Sequence, residues 1–216
     1  MDFQSIFQTW VNVLTRPGEE VFFAERERAS ATLSTALVWI ILAAVITALL
    51  SLLQAQFFDT ALGGMGQIVD LLPSELQGEF GTIAESGAAG GAAFNLLSII
   101  LIPLSFLLGV GIYHIIATVL GGRGQYGRYA YLTASYSAPL MIVTSILGFI
   151  PVVGGCLSLL LAIYQFVLTY FAIKVEYGLS QGRAIVVVVI PLLAGLILAV
   201  CLVTVFIGAL VAVIQQ

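Results

Sequence analysis

The residues able to do chemistry in this chain are few and widely spaced. His114 is the single histidine, so neither a histidine cluster for a metal nor an H-E-x-x-H helix can be assembled. Cys156 and Cys201 both stand in apolar stretches and read as two buried free thiols, since their number and spacing suit neither a zinc site nor a disulfide framework. The run Gly122-Arg-Gly124-Gln-Tyr-Gly127 matches the dinucleotide fingerprint letter for letter. That fingerprint works only between a strand and a helix of a βαβ unit. Here it joins two long apolar stretches, so the match is accidental. Asp59, Asp70, Glu75, Glu79 and Glu85 lack the alternating spacing of a calcium loop and read as a solvated acidic loop. No G-x-S-x-G elbow occurs. These residues predict no catalytic centre, no cofactor and no metal, and the chain is read as a non-enzyme.

The elements that must carry these residues are dictated by composition. Of 216 residues, 61% are hydrophobic and 8% charged, against about 25% charged in soluble domains. So few charges cannot cover a water-facing surface, and the expected solvent is lipid. Residues 29–58, 86–122, 129–173 and 184–216 contain no Asp, Glu, Lys or Arg. A spanning helix needs about 20 apolar residues. The window 129–173 would run about 68 Å as one helix, enough for two spans, and Gly148-Phe-Ile-Pro151-Val-Val-Gly154-Gly155 supplies a turn inside it. The sequence therefore predicts an all-α membrane protein, a bundle of five transmembrane helices at about 33–55, 94–120, 129–149, 155–173 and 185–213.

The basic residues orient this bundle. All seven Lys and Arg fall before span 1, between spans 2 and 3, or between spans 4 and 5. The positive-inside rule then puts the N-terminus in the cytoplasm and the C-terminus outside, with residues 57–91 as an outer loop. The first apolar run begins about thirty residues in and is too long for a signal h-region, so span 1 is expected to act as its own insertion signal. A net charge of −4 excludes a phosphate-binding stripe, hence no nucleic-acid partner.

Ahead of the bundle, residues 1–32 form a cytoplasmic amphipathic segment. Phe3, Ile6, Phe7, Trp10, Val11 and Leu14 share one helical face, opposite Gln4, Ser5, Gln8, Thr9 and Asn12. Such a helix lies in the interface or docks on its own bundle. Residues 33–216 make the membrane domain. In the outer loop Ile68, Leu71, Leu72, Leu76 and Phe80 recur near the helical period, and Gly87–Ala93 is expected to flex into span 2. Ala130, Ala134 and Ala138, the pair Ser105 and Gly109, and the pair Gly195 and Ala199 are small residues four apart, which let helices approach closely inside the bundle or against a second copy. His114, within span 2, is the candidate intramembrane polar site, in a structural or a functional role. Spans 1 to 5 are read as free of Asp and Glu, which disfavours an ion-coupled pump.

Gly121-Gly-Arg-Gly-Gln-Tyr126-Gly-Arg, Leu132-Thr-Ala-Ser-Tyr136-Ser-Ala-Pro139, the Gly154-Gly155 turn and Val175-Glu-Tyr-Gly178-Leu-Ser180-Gln-Gly-Arg183-Ala together resemble Yip-domain (Ypt-interacting-protein) membrane proteins. Trp10 followed by Leu14-Thr-Arg-Pro17 is similar to the bacterial members. The resemblance implies a five-span bundle in a bacterial inner membrane and leaves the activity undefined. The function expected is a scaffold or adaptor that organises lipid, a protein partner or further copies of itself through its cytoplasmic face. The alternative is a transporter, channel or lipid-translocating protein. The candidate surface is Gly122, Gly124, Tyr126, Tyr177 and Gly178, rimmed by Arg123, Arg128, Lys174 and Arg183.

Overall fold

The computed structural model of the chain describes the backbone of residues 3–62, 74–150 and 152–214, and side chains within 4–57, 95–150, 152–205 and 207. Seven helices run through the described residues: α1 (Phe3–Thr15), α2 (Glu19–Arg26), α3 (Leu33–Leu62), α4 (Ser74–Val119), α5 (Tyr126–Leu147), α6 (Val153–Tyr177) and α7 (Gln181–Ile214). Five contain segments long and apolar enough to cross a membrane: Leu33–Phe57, Asn95–Val119, Tyr126–Leu147, Val153–Tyr177 and Gln181–Val205.

Local chemistry sets the boundaries. Pro17 cannot continue a hydrogen-bonded ladder, and α1 stops at Thr15. Glu19 and Glu20 then open α2, where carboxylates favour the positive end of the helix. Thr32 caps α3 by accepting the N–H of Thr35 at 3.3 Å. Gly178, at φ +61°, closes α6 in the left-handed conformation that glycine adopts without strain. The turn between α5 and α6 falls in the expected Gly148–Gly155 stretch.

The central helix is α5. In its spanning window 56% of the residues are buried, against 6% in α4 and 11% in α7. Ala130, Ala134 and Ala138 are fully buried and meet a second small-residue face on α3, with Ala36, Ala43, Ala44 and Ala48. Close approach substitutes here for the hydrophobic drive that lipid removes. The other small pairs do not pack in this way. Ser105, Gly195 and Ala199 are exposed, and a Cβ on Gly195 would meet nothing within 4 Å. A four-residue spacing permits close packing without compelling it, and Leu192 to Val205 of α7 stand clear of the bundle.

Other expectations change in detail. Both cysteines are free, as expected, but exposed on the bundle surface rather than buried. In lipid an apolar residue has no preference for the protein interior, so apolar context does not imply burial. α4 starts at Ser74, so the Gly87–Ala93 stretch is helix rather than a flexible lead. Alanine, the strongest helix former, alternates there with glycine and the helix carries through. Ile68, Leu71 and Leu72 lie outside the described residues, as do the side chains of Asp59, Asp70, Leu76 and Phe80.

α1 and α2 fold back onto α5 and α6. Only part of the apolar face of α1 docks: Val13 is buried and Ile6, Trp10 and Leu14 are partly covered, while Phe7 and Val11 remain exposed. Thr9, from the polar face, is buried as well, because it serves a carboxylate described below. α2 wedges Phe22 between Tyr136 of α5 and Phe171 of α6. Tyr164 donates to the Leu14 carbonyl at 2.8 Å, tying the end of α1 to α6.

Candidate functional site

The basic residues gather where α5 begins and α6 ends, and two buried carboxylates organise that end of the bundle. Glu176 lies in the last turn of α6 with its side chain fully buried. Its Oε1 accepts the backbone N–H of Gln125 at 2.7 Å and Arg128 Nε at 3.2 Å. Its Oε2 stands 3.3 Å from Arg26 Nε, an ion pair without hydrogen-bond alignment. Arg26 also donates through Nη1 to the Val175 carbonyl at 3.3 Å. Gln125 is the N-cap of α5, so this carboxylate sits at the positive end of the central helix. Three elements distant in sequence, α2, the α4–α5 loop and α6, thus meet on one side chain.

Glu25 is the second buried carboxylate. Arg28 Nη2 lies 2.9 Å from Oε1, and Oε2 accepts Tyr131 OH at 3.1 Å and Thr9 Oγ1 at 3.3 Å. Arg28 Nη1 donates to Thr9 Oγ1 at 2.9 Å, closing a ring through α1, α2 and α5. Burial pushes the Glu25 carboxyl above the usual carboxylate range, and the Arg28 charge with the Tyr131 and Thr9 hydrogen bonds pulls the other way. At the edge of the assembly Lys174 Nζ pairs with Glu19 at 2.5 Å.

Tyr177 holds the α4–α5 loop against this network. Its ring packs 5.3 Å from Tyr129 and 5.6 Å from His114, and its hydroxyl meets His114 Nδ1 at 2.6 Å. A Cβ on Gly122 would stand 2.7 Å from Tyr177 Cβ, and one on Gly124 would stand 2.6 Å from Tyr177 Cδ1. These two glycines are therefore required by the closeness of backbone to ring. Arg123 N–H donates to the Tyr177 carbonyl at 3.2 Å, sealing the loop onto the end of α6. Tyr126 OH reaches the Leu107 carbonyl of α4 at 2.9 Å, with its ring edge-on to His114 at 5.6 Å.

Gly122, Gly124, Tyr126, Tyr177, Gly178 and Arg128 therefore come together, and His114 joins them. Tyr177 faces inward and is buried, with Gly122 and Gly124 as seats for its ring, while Gly178 is exposed. Arg128 and Lys174 are occupied in ion pairs. Arg123 and Arg183 are exposed, with Arg183 Nη1 3.4 Å from the Leu120 carbonyl. The sequence reading missed Glu25 and Glu176. It ended the fourth span at residue 173, whereas α6 continues to Tyr177, so a carboxylate does lie in a spanning helix. Gly178 was the available signal, since a glycine just past a helix marks where it stops.

Among the described residues no three of His, Cys, Asp and Glu converge as metal ligands. What the site does is bind helices to one another through compensated charge. Comparison with curated proteins returns no match, and neither does comparison with solved structures. The Yip1 domain model matches residues 11–214, nearly the whole chain and all five candidate spans. The chain belongs to the Yip1 domain family, as a polytopic integral membrane protein.

Proposed function

We propose that this protein is a non-enzymatic scaffold or adaptor of a bacterial inner membrane, with its N-terminus and the Glu25–Glu176 network on the cytoplasmic side. The observation that carries the reading is how the network divides the basic residues. Arg26, Arg28, Arg128 and Lys174 are held in ion pairs. Arg16, Arg123 and Arg183 stay exposed. A rigid cap with outward cations suits recruitment: each cation near an anionic leaflet contributes about 1 kcal/mol. Phe7, Val11 and Phe23 are exposed on the same N-terminal segment and offer an apolar contact to the interface or to a protein partner.

The test is the double variant Arg123→Ser with Arg183→Ser, purified in parallel with the wild type. Proteoliposomes of each are compared for capture of added vesicles with and without anionic lipid, and of co-purifying protein. Loss of recruitment in a normally inserted variant supports the proposal, and unchanged recruitment removes it. The second reading, movement of lipid, draws on a largely apolar cavity with uncharged polar groups between α4, α5 and α6. Flux in reconstituted vesicles without any partner would favour it.

A further inference from the structure

α4, α5 and α6 enclose a cavity of about 290 Å³, near the lower limit of small-molecule sites at about 300 Å³. Gly109, Ser137 and Gln165 on its wall lie 10, 11 and 12 residues from Val119, Tyr126 and Tyr177, the basic ends of their spans. At 1.5 Å per residue that depth is about 15–18 Å, the middle of a core about 30 Å thick.

The wall at this depth is mostly apolar, and the polar groups set into it are uncharged. Tyr113, Thr133, Tyr136, Ser137, Gln165 and Thr169 all line it, and among the described residues no Asp, Glu, Lys, Arg or His does. Thr169 Oγ1 spends its one proton on the Gln165 carbonyl at 2.8 Å. Tyr136 OH must then donate to Thr169 Oγ1 across their 3.0 Å contact. The Ser137 hydroxyl, in a residue only 8% exposed, and the Gln165 amide have no hydrogen-bond partner among the described residues. Gln165 and its neighbour Ala162 are exposed at the surface of the bundle, so the cavity opens sideways among the spans.

Unpartnered hydroxyl and amide groups at the centre of a bilayer each cost a few kcal/mol unless something supplies their hydrogen bonds. We infer that this cavity binds the uncharged, hydroxyl- and ester-bearing head of a neutral glycerolipid of the diacylglycerol type, entering laterally from the membrane. Gln165 offers a donor and an acceptor at the mouth, and Ser137 a hydroxyl within. A phosphate is excluded because no cation faces the cavity to balance it. A neutral glycerolipid crossing between leaflets must carry its polar oxygens through this depth, where lipid tails provide no partner for them.

The experiment reconstitutes the full chain in phospholipid vesicles with traces of a photoactivatable diacylglycerol, or of a phosphatidate with the same chains. Irradiation and peptide mapping should place diacylglycerol adducts on the α4, α5 and α6 segments around Gly109, Ser137 and Gln165, with phosphatidate giving only diffuse labelling. Gly109→Leu adds a side chain at a wall position where a Cβ meets nothing within 4 Å, and an unchanged melting temperature checks that the fold is kept. It should reduce the adducts to the phosphatidate level. Gln165→Leu should lower them about fivefold, the value of one hydrogen bond worth about 1 kcal/mol. Equal labelling by phosphatidate, adducts spread evenly along lipid-facing spans, or unchanged yield in both variants would overturn the inference.

Discussion

Replacing Glu176 by Gln removes one charge and keeps nearly the same shape. The amide oxygen still accepts the Gln125 N–H, so the hydrogen bond at the start of α5 survives in a neutral form. Arg26 and Arg128 lose their common counter-charge while their side chains are only 24% and 29% exposed. Removing one partner of a buried ion pair destabilises by about 3–5 kcal/mol. Both guanidiniums retain some water, and the loss expected for Glu176→Gln is therefore about 2–3 kcal/mol. Glu176→Ala also strands the Gln125 N–H and should lose about 1–2 kcal/mol more. At about 2–4 °C per kcal/mol for a chain this size, Glu176→Gln lowers Tm by about 5–10 °C. The assay is tryptophan-fluorescence melting in detergent, with limited proteolysis at Arg26 and Arg28. Trp10 and Trp39 form an edge-to-face pair between α1 and α3, so the signal reports on the docked segment. A Tm within about 1 °C of wild type, with unchanged proteolysis, would refute the network as the lock of the N-terminal segment.

Three further outcomes follow from individual contacts. Gly124→Ala drives a methyl into the Tyr177 ring and should destabilise by about 1–3 kcal/mol, measured by the same melt; Gly182→Ala, with open space around it, should be close to neutral. Glu25 binds its proton more tightly folded than unfolded, because burial raises its pKa. Its contribution is complete below the ordinary carboxylate range and is lost as pH rises through the raised folded value, so acidification through that value should firm the docking of α1 and α2. Glu25→Gln should remove that slope, and an identical slope in the variant would count against the assignment. Cys156 and Cys201 are free and exposed on the bundle surface, so a membrane-permeant maleimide should label both in the folded protein. Resistance of either thiol until denaturation would contradict that exposure.

The spans were legible because lipid imposes a long-range rule: about 20 apolar residues without charge have few other uses. The turn at Gly148–Gly155 was legible because proline and paired glycine break a helix wherever they stand. Ala130, Ala134 and Ala138 are fully buried, whereas Gly195 and Ala199 carry the same spacing and stand exposed. Spacing says that a close approach is possible, and only the path of the neighbouring helix says whether it happens. Glu25 and Glu176 were missed for a related reason. Each looks solvated in sequence, beside other charges at a span boundary, and each is buried by elements far along the chain, with Arg26 reaching Glu176. Tyr177 is the opposite case. Its apparent role as a surface residue gave way to one as a core residue once Gly122 and Gly124 were seen to seat its ring.

The proposal depends on Arg123 and Arg183 facing the cytoplasm and standing exposed there. Single cysteines at these two positions, in a background with Cys156 and Cys201 replaced by Ser, can be challenged with a membrane-impermeant maleimide. Inside-out vesicles should label at both positions and right-side-out cells at neither. Labelling from the outside of intact cells, or no labelling from either side, would contradict a basic cytoplasmic rim and with it the scaffold reading.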